Sequence, residues 1–163
     1  MDRTDALKAT RAFLKANNLN TNAANNEGEM TNYFFNLNVD SIKKVLDVVI
    51  SVSKQGDISI SVYLDIEKED VSKDELYKLV NWLNLENSAF IGCTSYIEED
   101  NAIAVIKSLD SYFQKEIYGE DISYLIKLQV TLFEEYFGVI DEVIKGETLS
   151  DAIAYYSDNK EKH

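Results

Sequence analysis

A chain of 163 residues is most simply one domain, and at this length it buries roughly 70% of the surface its unfolded form exposes, so it needs no metal or disulfide to fold. The 45% hydrophobic content sets disorder aside, and the single cysteine, Cys93, excludes an internal disulfide and favours a reducing compartment. A formal net charge of −13 argues against nucleic acid, whose binders must neutralise phosphates with Lys and Arg; it fits a basic protein partner and equally fits plain solubility.

The amino terminus, "MDRTDALKAT", carries no apolar run of the secretory kind, and every apolar cluster falls far short of the ~20 residues needed to cross a bilayer. The expected location is the cytoplasm. A first helix is expected from Arg3 to Ala16, with Ala6, Leu7, Thr10, Phe13 and Leu14 on its apolar side and "NNLN" as its stop. The Asn-rich stretch that follows gives no clear strand until "MTNYFFNLNV"; it ends in a turn signal at Glu27-Gly28.

"VLDVVISVS" and "ISISVYLDI" alternate with period two. Leu46, Val48, Ile50 and Val52 share one face of the first, and Ile58, Ile60, Val62, Leu64 and Ile66 share one face of the second. Alternation of this kind belongs to a sheet covered on one side, and "KQGD" between the runs makes them an antiparallel hairpin. Ser72 to Glu75 fits a capping box opening a helix that runs to about Leu85, with Leu76, Leu79, Val80 and Leu83 as its stripe and Trp82 on its flank. A second hairpin follows: "SAFIGCTSYI", a turn at "EEDN", and "AIAVIKSLD".

The last long helix, Asp121 to Lys145, has an apolar arc about twice the ~100° that a surface helix needs to meet its core. That breadth predicts a second neighbour, either another helix of the same chain or another subunit. Gly146 is expected to cap it, and the amphipathic "TLSDAIAYY" closes a single domain spanning 1–156, before a disordered tail at 157–163.

Catalytic chemistry finds little support. His163, the only histidine, lies in the tail, which leaves no internal histidine for a triad, an acid–base pair or a metal cluster. Cys93 falls at an alternating strand position, where a small core residue is the usual occupant. "DIEKEDVSKDEL" fails as a calcium loop, with Leu76 where a bidentate Glu belongs and Asp70 where the turn needs Gly. A carboxylate pair for glycoside hydrolysis has no weight, because 29 acidic residues supply pairs by chance. No phosphate-binding glycine motif and no nucleophile elbow occurs. No catalytic residue, metal ligand, cofactor or small-molecule substrate is assigned.

The order of elements, together with "ELYKLVNWLNLENSAF", the acidic-tipped "YIEEDNAIAVIKSL" and "VIDEVIKGETLSDAI", resembles the YbjN-like family of bacterial proteins, described in terms of sensory-transduction regulation, whose fold is similar to that of type III secretion chaperones. The resemblance implies an α+β fold: an antiparallel sheet of about five strands with an N-terminal helix, a middle helix and a long C-terminal helix packed on it. It also implies a dimeric, non-enzymatic, protein-binding or regulatory role. Tyr77, Asn81, Trp82, Leu128 and Val139 are the expected partner or dimer interface: the first three lie on the middle helix, which contributes to the dimer interface of the chaperones, and Leu128 and Val139 lie on the broad last helix. The expected partner is the chain itself, with another protein or peptide segment as a further candidate. Two alternatives stand beside this reading, an acidic immunity or inhibitor protein that caps a basic partner, and a client-specific secretion chaperone.

Overall fold

The computed structural model describes residues 1–19, 24–26, 29–68, 70–87, 91–113 and 116–160. Its elements in chain order are α1 (Arg3–Ala16), β1 (Ala24–Asn26), β2 (Met30–Val39), β3 (Lys44–Ser53), β4 (Ile58–Asp65), α2 (Lys73–Glu86), β5 (Cys93–Ile97), β6 (Ala102–Leu109), α3 (Gly119–Lys145) and α4 (Leu149–Lys160). The strands form one antiparallel sheet in the order β1-β2-β3-β4-β6-β5, and the helices pack on one of its faces. The architecture is α+β, with the five expected strands and a sixth, the three-residue β1, on the edge beside β2.

Local chemistry sets the element ends. Asp2 caps α1 by accepting from the Asp5 N–H at 2.9 Å, and the helix stops where the Asn17 side-chain amide donates to the Phe13 carbonyl at 2.9 Å. The β3–β4 turn depends on Gly56, whose φ of +97° lies in the region that L side chains disfavour. A Cβ there would also meet the Asp2 carbonyl carbon at 2.7 Å, so the hairpin turn docks directly on the start of α1. Gly146 ends α3 with φ of +114°, as expected of a left-handed cap.

The capping box at α2 forms only in part. Ser72 accepts from the Glu75 N–H at 3.5 Å, but the Glu75 carboxylate accepts from the Leu149 N–H at 2.7 Å and pairs with Lys78 at 2.6 Å. Glu75 thus holds the start of α4 against α2. These two partners, Leu149 first, hold its carboxyl below the usual range.

Alternation dictates the covered face of the sheet. Leu46, Val48, Ile50 and Val52 of β3 and Ile58, Ile60, Val62 and Leu64 of β4 are all buried beneath the helices. The wide arc of α3 is consumed inside the chain: it packs against β4, α1, α2 and α4, burying Ile122, Ile126, Leu132, Phe133, Val139, Ile140 and Val143. Of the two neighbours that its breadth allowed, the structure supplies helices of the same chain. Gln129 is the exception within this stripe. Fully buried, it donates from Nε2 to the carbonyls of Ile60 and Val105, both at 3.0 Å, and so pins α3 to the neighbouring strands β4 and β6.

Three expectations need adjustment. The expected strand 88–97 begins only at Cys93; residues 88–90 lie outside the described residues, as does the Glu27-Gly28 turn. Helix α4 continues to Lys160, four residues into the expected tail, while 161–163 lie outside the described residues. Cys93 is exposed rather than a core residue, because the β5–β6 register turns it to the face that no helix covers.

Candidate functional site: the uncovered face of the sheet

The register of five strands builds the surface opposite the helices. Phe34, Val49, Ser61, Ile106 and Cys93 stand in one cross-strand row. Asn36, Asp47, Tyr63, Ala104 and Ser95 form the next. Asn32, Ser51, Ser59 and Ser108 lie on the other side of the first row. Such neighbours on one face stand close enough to act as a single surface. A concavity of about 620 Å³ lies here, open to solvent, lined among others by Asn32, Phe34, Val49, Tyr63, Asp65 and Asp100.

Two features separate this face from an ordinary solvated one. Phe34 is 51% exposed and Val45 53%, so the alternation that should place polar side chains outward is broken at both. The charge is also of one sign: Asp47 and Asp65 stand on the face, Asp100 reaches its rim from the β5–β6 turn, and no Lys or Arg of β2–β6 points to this side. Among the described residues none of these three carboxylates is paired with a cation. Asp47 accepts from the Asn36 side-chain amide. Asp65 is pushed above the usual carboxylate range, first by lost hydration and then by the negative charges of Asp47, Asp100 and Glu67. The Glu67 carboxylate is itself paired with Lys44 at 3.4 Å.

The residues expected to form an interface do not converge. Tyr77 is 41% exposed, but its hydroxyl donates to Glu98 and its ring meets Tyr96 edge-on at 5.7 Å. Lys73 completes this cluster by donating to Glu98 at 2.6 Å, and Lys73 ahead of Tyr77 keeps the Glu98 carboxyl below its usual range. Tyr96 in turn donates to Asn101 at 2.9 Å, and Asn101 donates to the Ile66 carbonyl at 2.7 Å. This chain of contacts fastens the acidic hairpin tip to α2 and to the end of β4. Asn81 is exposed on α2. Trp82 is half-buried, its ring edge-on to Tyr136 of α3 at 5.3 Å, so it seals the α2–α3 seam. Leu128 is half-buried, about 12 Å along α3 from Tyr136 by helical rise. Val139 has no exposed surface and is corrected to a core residue: the arc that placed it at an interface faces the chain's own interior.

The "NLEN" segment at the end of α2 holds a feature that a helix stop alone does not require. Asn84 Nδ2 donates to the Thr94 carbonyl at 2.8 Å, and Asn84 Oδ1 accepts from the Thr94 N–H at 2.7 Å. β5 is an edge strand, and the Asn84 amide meets one of its residues as a neighbouring strand would. Edge strands invite pairing with other chains unless they are short or covered, and β5 is both.

Among the described residues, no group of three or more His, Cys, Asp or Glu is placed to hold a metal ion, and no helix is long and apolar enough to cross a membrane. Among the described residues, no histidine stands beside Cys93 or Ser61 on the open face. What this surface offers chemically is apolar contact, hydroxyl and amide hydrogen bonding, and unpaired negative charge. No family model, characterised protein or solved structure matches the chain.

Proposed function

We propose that the chain is a non-enzymatic protein-binding module of regulatory type, acting in the cytoplasm, and that it recognises its partner through the uncovered face of the sheet. The observation that carries this reading is the exposure of Phe34 and Val45 beside unpaired Asp47 and Asp65 on a face that the fold leaves without a helical layer. Apolar anchors rimmed by polar groups are the usual composition of a protein interface. The resemblance to the YbjN-like regulators and the secretion chaperones supports the same class of role.

The test is a photo-cross-linking residue placed in turn at Phe34, Val45, Asn81 and Lys127 in the intact chain expressed in cells. Adducts with a protein from the first two positions only are expected. Adducts from the helix-side positions alone, or from none, would sink the reading.

Self-association is a second reading, favoured by the exposure of Tyr118 and Tyr124, at 61% and 62%, around the first turns of α3. Light scattering over a concentration and salt series decides it. A monomer at every concentration removes it, and a dimer lost on Tyr124→Ser locates it.

A further inference from the structure

We infer that the open sheet face receives an arginine-bearing segment of another protein, with the guanidinium seated between Asp47 and Asp65 and the segment's apolar side chains resting on Phe34, Val45 and Val49. This inference rests on the protein-binding reading of the same face and adds what the partner must look like.

Three observations select the occupant. The first is charge. Asp47 lies opposite Tyr63 across the β3–β4 ladder, and Asp65 follows two residues later on the same face, so the two carboxylates are diagonal neighbours with Cα atoms about 7–8 Å apart. Asp100 closes the rim. A cation between them relieves the mutual repulsion of these acids, which adds to lost hydration, the larger cause, in raising the affinity of Asp65 for its proton.

The second is shape. Tyr63 lies directly across from Asp47 and two residues before Asp65 on the same face, and a planar guanidinium both stacks on a ring and grips carboxylates with paired N–H donors. An ammonium does only part of this. The third is the apolar surface beside the acids. Phe34 and Val49 face each other across the β2–β3 ladder in the row next to Asp47, so a bare polycation would leave them wet.

The same observations remove the other occupants. A second copy docked face to face would bring two sets of Asp47, Asp65 and Asp100 together, and nucleic acid would meet carboxylates with phosphates.

The probe is a short peptide alternating arginine and leucine, titrated into the isotopically labelled full chain and followed by amide shifts. Controls are the glutamate–leucine, serine–leucine and arginine–serine counterparts. Shifts confined to β2, β3, β4 and the β5–β6 turn are expected, with affinity falling about three- to fivefold on Asp47→Asn and again on Asp65→Asn, the size of one partly exposed charge pair. Both are isosteric at surface positions, so the folded spectrum serves as an internal control.

If the serine–leucine peptide binds this face as tightly, or neither variant weakens the arginine–leucine peptide, the arginine assignment is overturned while the face remains a binding surface. If the arginine–serine peptide binds equally well, the apolar contribution is wrong. If no peptide shifts this face, or shifts fall on the helices, both the inference and the reading beneath it fail.

Discussion

Asn84 offers the sharpest single perturbation of this fold. Its side-chain amide makes two hydrogen bonds, of 2.7 and 2.8 Å, to the main chain of Thr94, a residue only 2% exposed. Each such bond contributes about 0.5–1.5 kcal/mol net, and leaving a buried N–H or C=O without a partner costs about 1–3 kcal/mol. Water reaches part of the space vacated in Asn84→Ala, because Asn84 itself is half-buried, so the expected loss is about 2 kcal/mol. For a chain of this length that lowers the melting midpoint by about 4–8 °C. Asn84→Leu fills the space while admitting neither partner nor water, and should cost at least as much. Urea unfolding measures the loss, and amide hydrogen exchange localises it. The Thr94 amide should lose protection before the β6 amides that pair β5 from its other side. If Asn84→Ala and Asn84→Leu both stay within about 0.5 kcal/mol of the parent, below the loss of even one such bond, the side chain is not substituting for a strand and the argument fails.

Three further outcomes are expected. Gln129→Met keeps volume but removes both hydrogen bonds to Ile60 and Val105; urea unfolding should show a loss of about 1–2 kcal/mol, against about 3 kcal/mol or more for Gln129→Ala, which adds a cavity. Gly56→Ala should destabilise by about 2 kcal/mol or more, because positive φ and the approach of the Asp2 backbone act together; a thermal melt unchanged from the parent would refute the docking of that turn on α1. Asp57 and Asp65 should give pH profiles of opposite sign. The Asp57 carboxyl is held below its usual range, first by Ser111 and then by Ser53. Its stabilisation is therefore present above the unfolded-state pKa of about 3.9 and is lost as pH falls through the lower folded value, and Asp57→Asn should remove that acid-range slope. The Asp65 carboxyl is raised by lost hydration and by Asp47, so its ionisation opposes folding. Asp65→Asn should stabilise at neutral pH, and the gain should vanish once pH falls below about 3.9, where both states are protonated.

Much of this fold is legible in the sequence wherever one physical cause acts locally. α1 spans Arg3–Ala16 as its stripe and its Asn stop require, and β3 and β4 follow from strict alternation of β-branched residues. β1 is not legible in this way: three residues, Ala24–Asn26, carry no apolar pattern, and their only described role is to pair with Met30–Asn32. The part played by Asn84 is hidden for a different reason. Asparagine near a helix end already has a local explanation, and nothing in "LNLEN" reveals that this side chain reaches the main chain of a strand ten residues on. Gln129 is obscured similarly, since a single amide within a long amphipathic helix reads as an interruption until two strand carbonyls are found beneath it.

The candidate site was the least legible part, and the reason lies in how amphipathicity is counted. Breadth of an apolar arc measures how much neighbour a helix needs, not whose chain supplies it. In α3 that need is met by α1, α2, α4 and β4, which is why Val139 is core and why Trp82 spends its ring on Tyr136. Excess apolar character is informative only where the fold has no further layer to offer, and that condition holds on the outer face of the sheet. There the signal is small: Val49 falls between Asp47 and Ser51 on the polar side of its strand, and Phe34 lies across from it. A polar-face position that is apolar on two adjacent strands at the same register is weak as a one-dimensional pattern. It becomes a surface only once pairing is known. An acidic chain whose broad helix is already satisfied internally thus shifts the search for a partner from the helices to the sheet, and from a second copy of itself to a partner of opposite charge.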